Sequence, residues 1–241
     1  MAKKIVIILL LLSLVLTGCG SKSDIGSTNE DLSGALNLVL GTTDEPGVFD
    51  SYHIELVLDT PVLSDDSTTI VNELTQISAD VEGANIHILQ IDPGEIEQKE
   101  GFIIGEGEYK LVNGAKEDTM GFIALSWAMW PMQVVLPYAW AANWNTKTGT
   151  ETLDGREADV YAFDSANAPE SVQSGLAAYG MIGTLSANGT VWIDKETGAM
   201  LKLDMNYVTS LTDNDGKTVG DGNGHVTIDI TGVNQTAVIE P

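Results

Sequence analysis

Three histidines, one cysteine and a surplus of carboxylates are the residues through which this chain of 241 residues could do chemistry. His53, His87 and His225 fall in separate strand-like segments, and no spacing assigns them to one site. Each is expected to be a satisfied or solvent-facing ring. The sequence contains no Gly-x-Ser-x-Gly elbow, no Walker loop, no His-Glu-x-x-His, and no Gly-x-Gly-x-x-Gly between a strand and a helix. Gly105-Glu-Gly107 sits inside a strand-like stretch and reads as a bend or bulge. Asp213-Asn214-Asp215-Gly216 looks like a calcium loop. With Gly216 at the sixth position, however, the first falls on Leu211 and the twelfth on Gly222, and neither supplies a carboxylate. A polar hairpin loop through Asp221-Gly-Asn-Gly224 is expected instead. The acids read as a solvated face, so no catalytic residue, metal site or cofactor is expected, and the chain is not expected to be an enzyme.

Cys19 is the single cysteine, which excludes an internal disulfide and zinc sites built on paired cysteines. Two positive charges, Lys3 and Lys4, precede Ile5 to Leu16, a run that is apolar apart from Ser13. Residues 1–18 therefore read as a secretory signal peptide, too short for a stop-transfer helix. Leu16-Thr17-Gly18-Cys19 resembles the bacterial lipobox, in which cleavage leaves a diacylated cysteine as the first residue; a chance cysteine after an ordinary signal peptide is the alternative. The resemblance implies lipid attachment at Cys19. Two acyl chains are the usual requirement for stable membrane anchoring. Residue 20 is Gly, so the Asp that retains Gram-negative lipoproteins at the inner membrane is absent.

Charge narrows the partners. With 35 Asp+Glu against 11 Lys+Arg the net charge is −24, and removing Lys3 and Lys4 leaves 9 against 35, or −26. The basic residues are scattered singly, so nucleic acid is excluded as a partner. Residues 19–47, rich in Ser, Gly, Thr and acid, are expected to be a lipidated N-terminus and flexible tether, with one domain over 48–241.

From Tyr52 onward apolar residues recur at every second position, the period of a strand with one buried face. Tyr52, Ile54, Leu56 and Leu58 alternate with His53, Glu55, Val57 and Asp59. Similar segments are expected near 69–81, 84–91, 101–112, 158–164, 182–193, 199–209 and 224–232. Expected turns are Glu82-Gly83, Asp92-Pro93-Gly94, Asn113-Gly114, Asp154-Gly155, Asn188-Gly189, Thr197-Gly198 and Asp215-Gly216. The result is an antiparallel sheet with one buried face. Residues 165–179 break the pattern with a helix-start signature at Pro169-Glu170. Residues 120–142 break it with 23 uncharged positions holding Trp127, Trp130, Trp140, Pro131 and Pro137. That length could span a bilayer. The prolines, the spread of the tryptophans and the flanking strands favour short helices on the concave face of the sheet or at its rim.

Gly189-Thr-Val-Trp-Ile-Asp-Lys-Glu-Thr-Gly-Ala-Met-Leu-Lys-Leu-Asp204 is a hairpin with Leu201, Leu203 and Met205 returning along one face. It resembles the hairpin of the bacterial LolA/LolB-like and LppX/LprG-like envelope lipoproteins. The order of lipobox, tether, strands, apolar insert, the Asp154-Gly-Arg-Glu-Ala-Asp-Val-Tyr-Ala-Phe-Asp164 strand, short helix and hairpin matches as well, over roughly residues 50–235. The resemblance implies a mostly β (α+β) fold, an incomplete antiparallel β-barrel wrapped around a few short helices, whose apolar cavity accepts acyl chains. Tyr52, Ile54, Leu56, Trp127, Trp130, Met132, Leu136, Leu201, Leu203 and Met205 are its expected lining. The expected function is binding or transport of a lipid or acylated ligand in the bacterial cell envelope, on the outer face of the cytoplasmic membrane, in the periplasm or at the cell surface. An envelope protein partner of unknown identity is a further expectation. The alternative is a surface scaffold whose same residues fill a closed core. No basic residue stands near the apolar insert to meet an anionic headgroup.

Overall fold

The computed structural model describes residues 30–41, 47–64, 68–91, 99–105, 107–112, 115–119, 134–172, 184–213, 215–235 and 239. Strand-forming alternation becomes eleven strands: β1 (Ser51–Leu63), β2 (Ile70–Glu82), β3 (Asn85–Ile91), β4 (Lys99–Ile104), β5 (Gly107–Val112), β6 (Ala115–Asp118), β7 (Asn145–Leu153), β8 (Arg156–Asp164), β9 (Thr184–Asp194), β10 (Met200–Thr212) and β11 (Thr218–Thr231). They form one sheet in the order β6-β5-β4-β3-β2-β1-β11-β10-β9-β8-β7, antiparallel throughout. β6 and β7 are its two edges and do not pair with each other, so the sheet is an open half-barrel, as the sequence predicts. Both edges are blunted: β6 reads Ala-Lys-Glu-Asp, and β7 is polar with a register shift between Lys147 and Gly149.

Two short helices lie against the sheet's apolar face. In α1 (Ala35–Leu40), Ala35, Leu36 and Val39 are buried; the helix stops at Gly41, whose positive φ of 74° and N–H to the Asn37 carbonyl (2.8 Å) terminate it. In α2 (134–141), Val134, Tyr138 and Ala141 are buried, with Pro137 inside the helix. A 3-10 turn, Ser165–Asn167, follows β8, and helix resumes at 170–172 after Pro169. The remainder of the predicted 165–179 helix lies outside the described residues. No helix among the described residues is long and apolar enough to cross a membrane.

Several local expectations are corrected. The segment 101–112 is two strands: Gly105, at a φ of 57°, begins the turn of a hairpin that pairs Ile104 with Gly107. Asn188-Gly189 lies inside β9, opposite Asn206 and Met205. A Cβ on Gly189 would stand 2.1 Å from the Asp204 carbonyl oxygen and 3.0 Å from the Phe163 ring, so this glycine serves close packing within the sheet. Asp221 to Gly224 likewise belong to β11, and the hairpin loop is shorter, at 213–217. Gly224 is covered by the Tyr207 ring, whose Cζ would lie 2.2 Å from an added Cβ. The predicted tether also ends early. Leu32, Ala35, Leu36 and Val39, all inside 19–47, join the core cluster. The apolar run Ala-Leu-Asn-Leu-Val-Leu carries this signal, which the surrounding polar composition obscures.

Candidate functional site

The concave face is built by strand periodicity. On the central strands the inward positions are Tyr52, Ile54, Leu56 and Leu58 on β1, Val226, Ile228 and Ile230 on β11, and Leu203, Met205 and Tyr207 on β10. Of the expected lining, Tyr52, Ile54, Leu56, Leu201, Leu203 and Met205 come together in one buried cluster, each between 0% and 4% exposed. Leu136 sits half-buried on α2, whose neighbouring Val134, Tyr138, Ala141 and Ala142 turn into that cluster. Trp127, Trp130 and Met132 lie outside the described residues, as does Cys19.

Polar groups reaching into this face hold the N-terminal segment. The Tyr138 hydroxyl donates to the Leu32 carbonyl at 2.8 Å in a buried setting. Burial, with the charge of Asp31 adding to it, pushes that hydroxyl well above the ordinary tyrosine range, so it stays a neutral donor. Asn145 Nδ2 donates to the Glu30 carbonyl at 2.6 Å and to the Ala142 carbonyl at 2.5 Å. The Tyr161 hydroxyl donates to Glu30 Oε2 at 2.8 Å. Burial and then the Glu30 hydrogen bond raise Tyr161 in the same sense. Trp140 packs edge-to-face on Trp144 at 6.5 Å, and its buried Nε1 has no partner among the described residues.

The two sequence motifs behind the family resemblance meet at the opposite end of the sheet. Arg156, at the start of β8, donates from Nε to Asp194 Oδ1 (3.0 Å) and from Nη2 to Oδ2 (2.7 Å). Asp194, only 2% exposed, also accepts from the Thr197 N–H (3.0 Å) and hydroxyl (2.6 Å), which closes the Lys195-Glu-Thr-Gly198 turn. Burial would raise this carboxyl, but the hydrogen bonds from Arg156 and Thr197 outweigh it and hold it below the ordinary value. Gly198, with a φ of 76°, supplies the left-handed position of the turn. The Arg156 guanidinium also lies 5.4 Å from the Phe49 ring centroid.

The outer face is polar and cross-paired. Lys202 bonds Asp229 at 2.8 Å, Lys195 bonds Glu157 at 2.9 Å, and Lys147 bonds Asp159. The histidines are not as separate as their spacing suggests. β2 places Asp80 between β1 and β3, so His53 Nδ1 meets Asp80 Oδ1 at 2.8 Å and His87 Nδ1 lies 3.7 Å from Oδ2. His87 Nε2 continues to Glu100 at 2.9 Å, and its ring stacks on Phe102 at 4.5 Å. His225 stands apart with Asp204 at 2.9 Å. Among the described residues no group of three His, Cys, Asp or Glu side chains could hold a metal ion. Asp213 does not offer an open calcium position: its carboxylate accepts the Asp215 and Lys217 N–H groups at 3.0 and 2.9 Å.

No family model matches the chain, and no curated protein does. Among solved structures, the lipoprotein LppX of Mycobacterium tuberculosis is 14% identical with a TM-score of 0.42, over 87% of this chain and 98% of that one. LprF from Mycobacterium bovis is 15% identical with a TM-score of 0.42, over 80% and 90%. A LolA superfamily protein from Nitrosomonas europaea is 9% identical with a TM-score of 0.29, over 87% and 92%.

Proposed function

We propose that this chain is an exported bacterial envelope lipoprotein, anchored through acylated Cys19, whose concave sheet face binds the acyl chains of a lipid or acylated ligand. The observation that carries the reading is the open sheet. Its eleven strands curl without closing, and the inward positions of the central strands are apolar. An open concave apolar face gives acyl chains a place to leave water, at about 0.8 kcal/mol per buried methylene. Trp127, Trp130 and Met132, in the uncharged segment 120–142, are proposed as further contacts for the acyl chains. Binding of this kind needs no cofactor and no catalytic group.

One observation favours a second reading. Six of the seven described candidate residues fall in one core cluster shared with α1 and α2, as in a scaffold whose interior is full. Titration of the chain from residue 20 onward, purified without detergent, with a fluorescent fatty-acid probe separates the two. A cargo site gives saturable enhancement that added lipid competes away; a filled core gives none.

A further inference from the structure

We infer that the end of the sheet at which β2, β7 and β9 begin faces the bilayer at close range, with Val71 and Leu185 as its contact residues. The inference rests on the lipid-anchor part of the proposed function and does not need the concave face to carry cargo.

The chain leaves the folded body at Glu30. Glu30 is fixed by Asn145, the first residue of β7, and by Tyr161 on β8. From there α1 runs toward the opposite end, where Leu38 Cδ1 comes within 3.8 Å of the position a Cβ would take on Gly198. Eleven residue steps separate Cys19 from Glu30, where the sequence alone suggested a tether reaching to residue 47. Eleven steps span at most about 40 Å, and a Gly/Ser-type linker of that length averages about 17–20 Å.

Strand register then says which end lies within reach. Asn145, Phe163, Gly189, Met205, Val226 and Leu58 share one level across the sheet. The rim at Val62 and Val71 is about four residues, or ~13 Å, beyond that level, and the far turn at Asp154-Gly155 about nine residues, or ~30 Å, the other way. The near rim falls inside the average reach and the far turn outside it.

That rim also carries exposed apolar side chains. Val71 is 40% exposed and Leu185 46%. β2 and β9 stand four strand spacings apart, about 19 Å along the sheet, so the contacts flank the concave face on both sides. The short link keeps the rim at an effective concentration in the millimolar range, so weak apolar contacts suffice. The net charge of −24 opposes approach to anionic headgroups. Added salt should therefore leave the contact unchanged or strengthen it, unlike electrostatic adsorption.

The test uses the full chain with acylated Cys19 in vesicles of phosphatidylcholine and phosphatidylglycerol. Acylation consumes the Cys19 thiol, so a polarity-sensitive dye can be placed through Val71→Cys or Leu185→Cys, and through Val48→Cys, which is exposed at the other end. The dye should shift to the blue at 71 and 185 and not at 48. Inserting about twenty Gly/Ser residues after position 29 should cut the shifted population about five-fold, following the −3/2 power of linker length. A shift at 48 alone overturns the orientation, and retained protein with no shift at any site overturns the rim contact. Protein that vesicles do not retain overturns the anchor and this inference with it. The fatty-acid titration, made without the anchor, then still decides the cargo reading separately.

Discussion

Arg156 grips Asp194 with two hydrogen bonds of 3.0 and 2.7 Å across 38 positions of sequence, and Asp194 is 2% exposed. The pair locks the β8 start to the β9–β10 turn, with the Phe49 ring against the guanidinium. Removing one partner leaves the other charge buried without its counterpart, which is where the cost of such a pair lies.

Arg156→Ala should lower unfolding stability by about 3 kcal/mol, read by urea denaturation. The Asp194 carboxyl is held below its unfolded value, so its contribution is present at neutral pH and lost as pH falls through its folded pKa, below about 4. Asp194→Asn should therefore be destabilised at pH 7 and show a flatter loss of stability below pH 4 than the parent chain. Parallel curves for the two would contradict the assignment.

The glycines of the sheet separate into two kinds. An alanine at Gly189 would drive its Cβ to 2.1 Å from backbone oxygen, whereas one at Gly149 meets nothing within 4 Å. Gly189→Ala should cost about 1–3 kcal/mol, and Gly149→Ala should stay within about 0.5 kcal/mol of the parent. Thermal melts of the two variants side by side check this.

Where the tether ends and the fold begins can be measured by truncation. A chain beginning at residue 30 should melt with the chain beginning at residue 20. One beginning at residue 42 loses Leu32, Leu36 and Val39 from the core and should melt far lower or fail to fold. Tyr138→Phe, which strips the Leu32 carbonyl of its buried donor, should cost about 1–3 kcal/mol and speed amide exchange across α1. Equal melting of all three truncated chains would restore the longer tether.

Legibility followed periodicity. β1, β10 and β11 are visible as strict alternation because one face is apolar and buried while the other is wet, and the β9–β10 hairpin is visible in its Asp and Thr-Gly turn. β7 is not legible, because Asn-Thr-Lys-Thr-Gly-Thr-Glu-Thr-Leu is an edge strand with almost no buried side chain. β6 is four exposed residues. Asn188-Gly189 misleads because the same dipeptide that favours a turn also fits where a neighbouring backbone leaves no room for a side chain. The meeting of His53 and His87 at Asp80 is invisible in sequence spacing, since only strand order places β2 between them. Of the expected lining, the strand residues follow from alternation. Trp127, Trp130 and Met132 rest on composition, which reports that a segment is apolar and leaves open what it covers.

The central claim is that the concave face holds acyl chains. Native mass spectrometry of the chain from residue 20 onward, released from its host without detergent, tests it most directly. A population heavier than the polypeptide by the mass of a lipid, which organic extraction removes and identifies as acylated, is the expected result. A single species at the polypeptide mass, with no binding after incubation with host lipid extract, would contradict it and leave the filled scaffold.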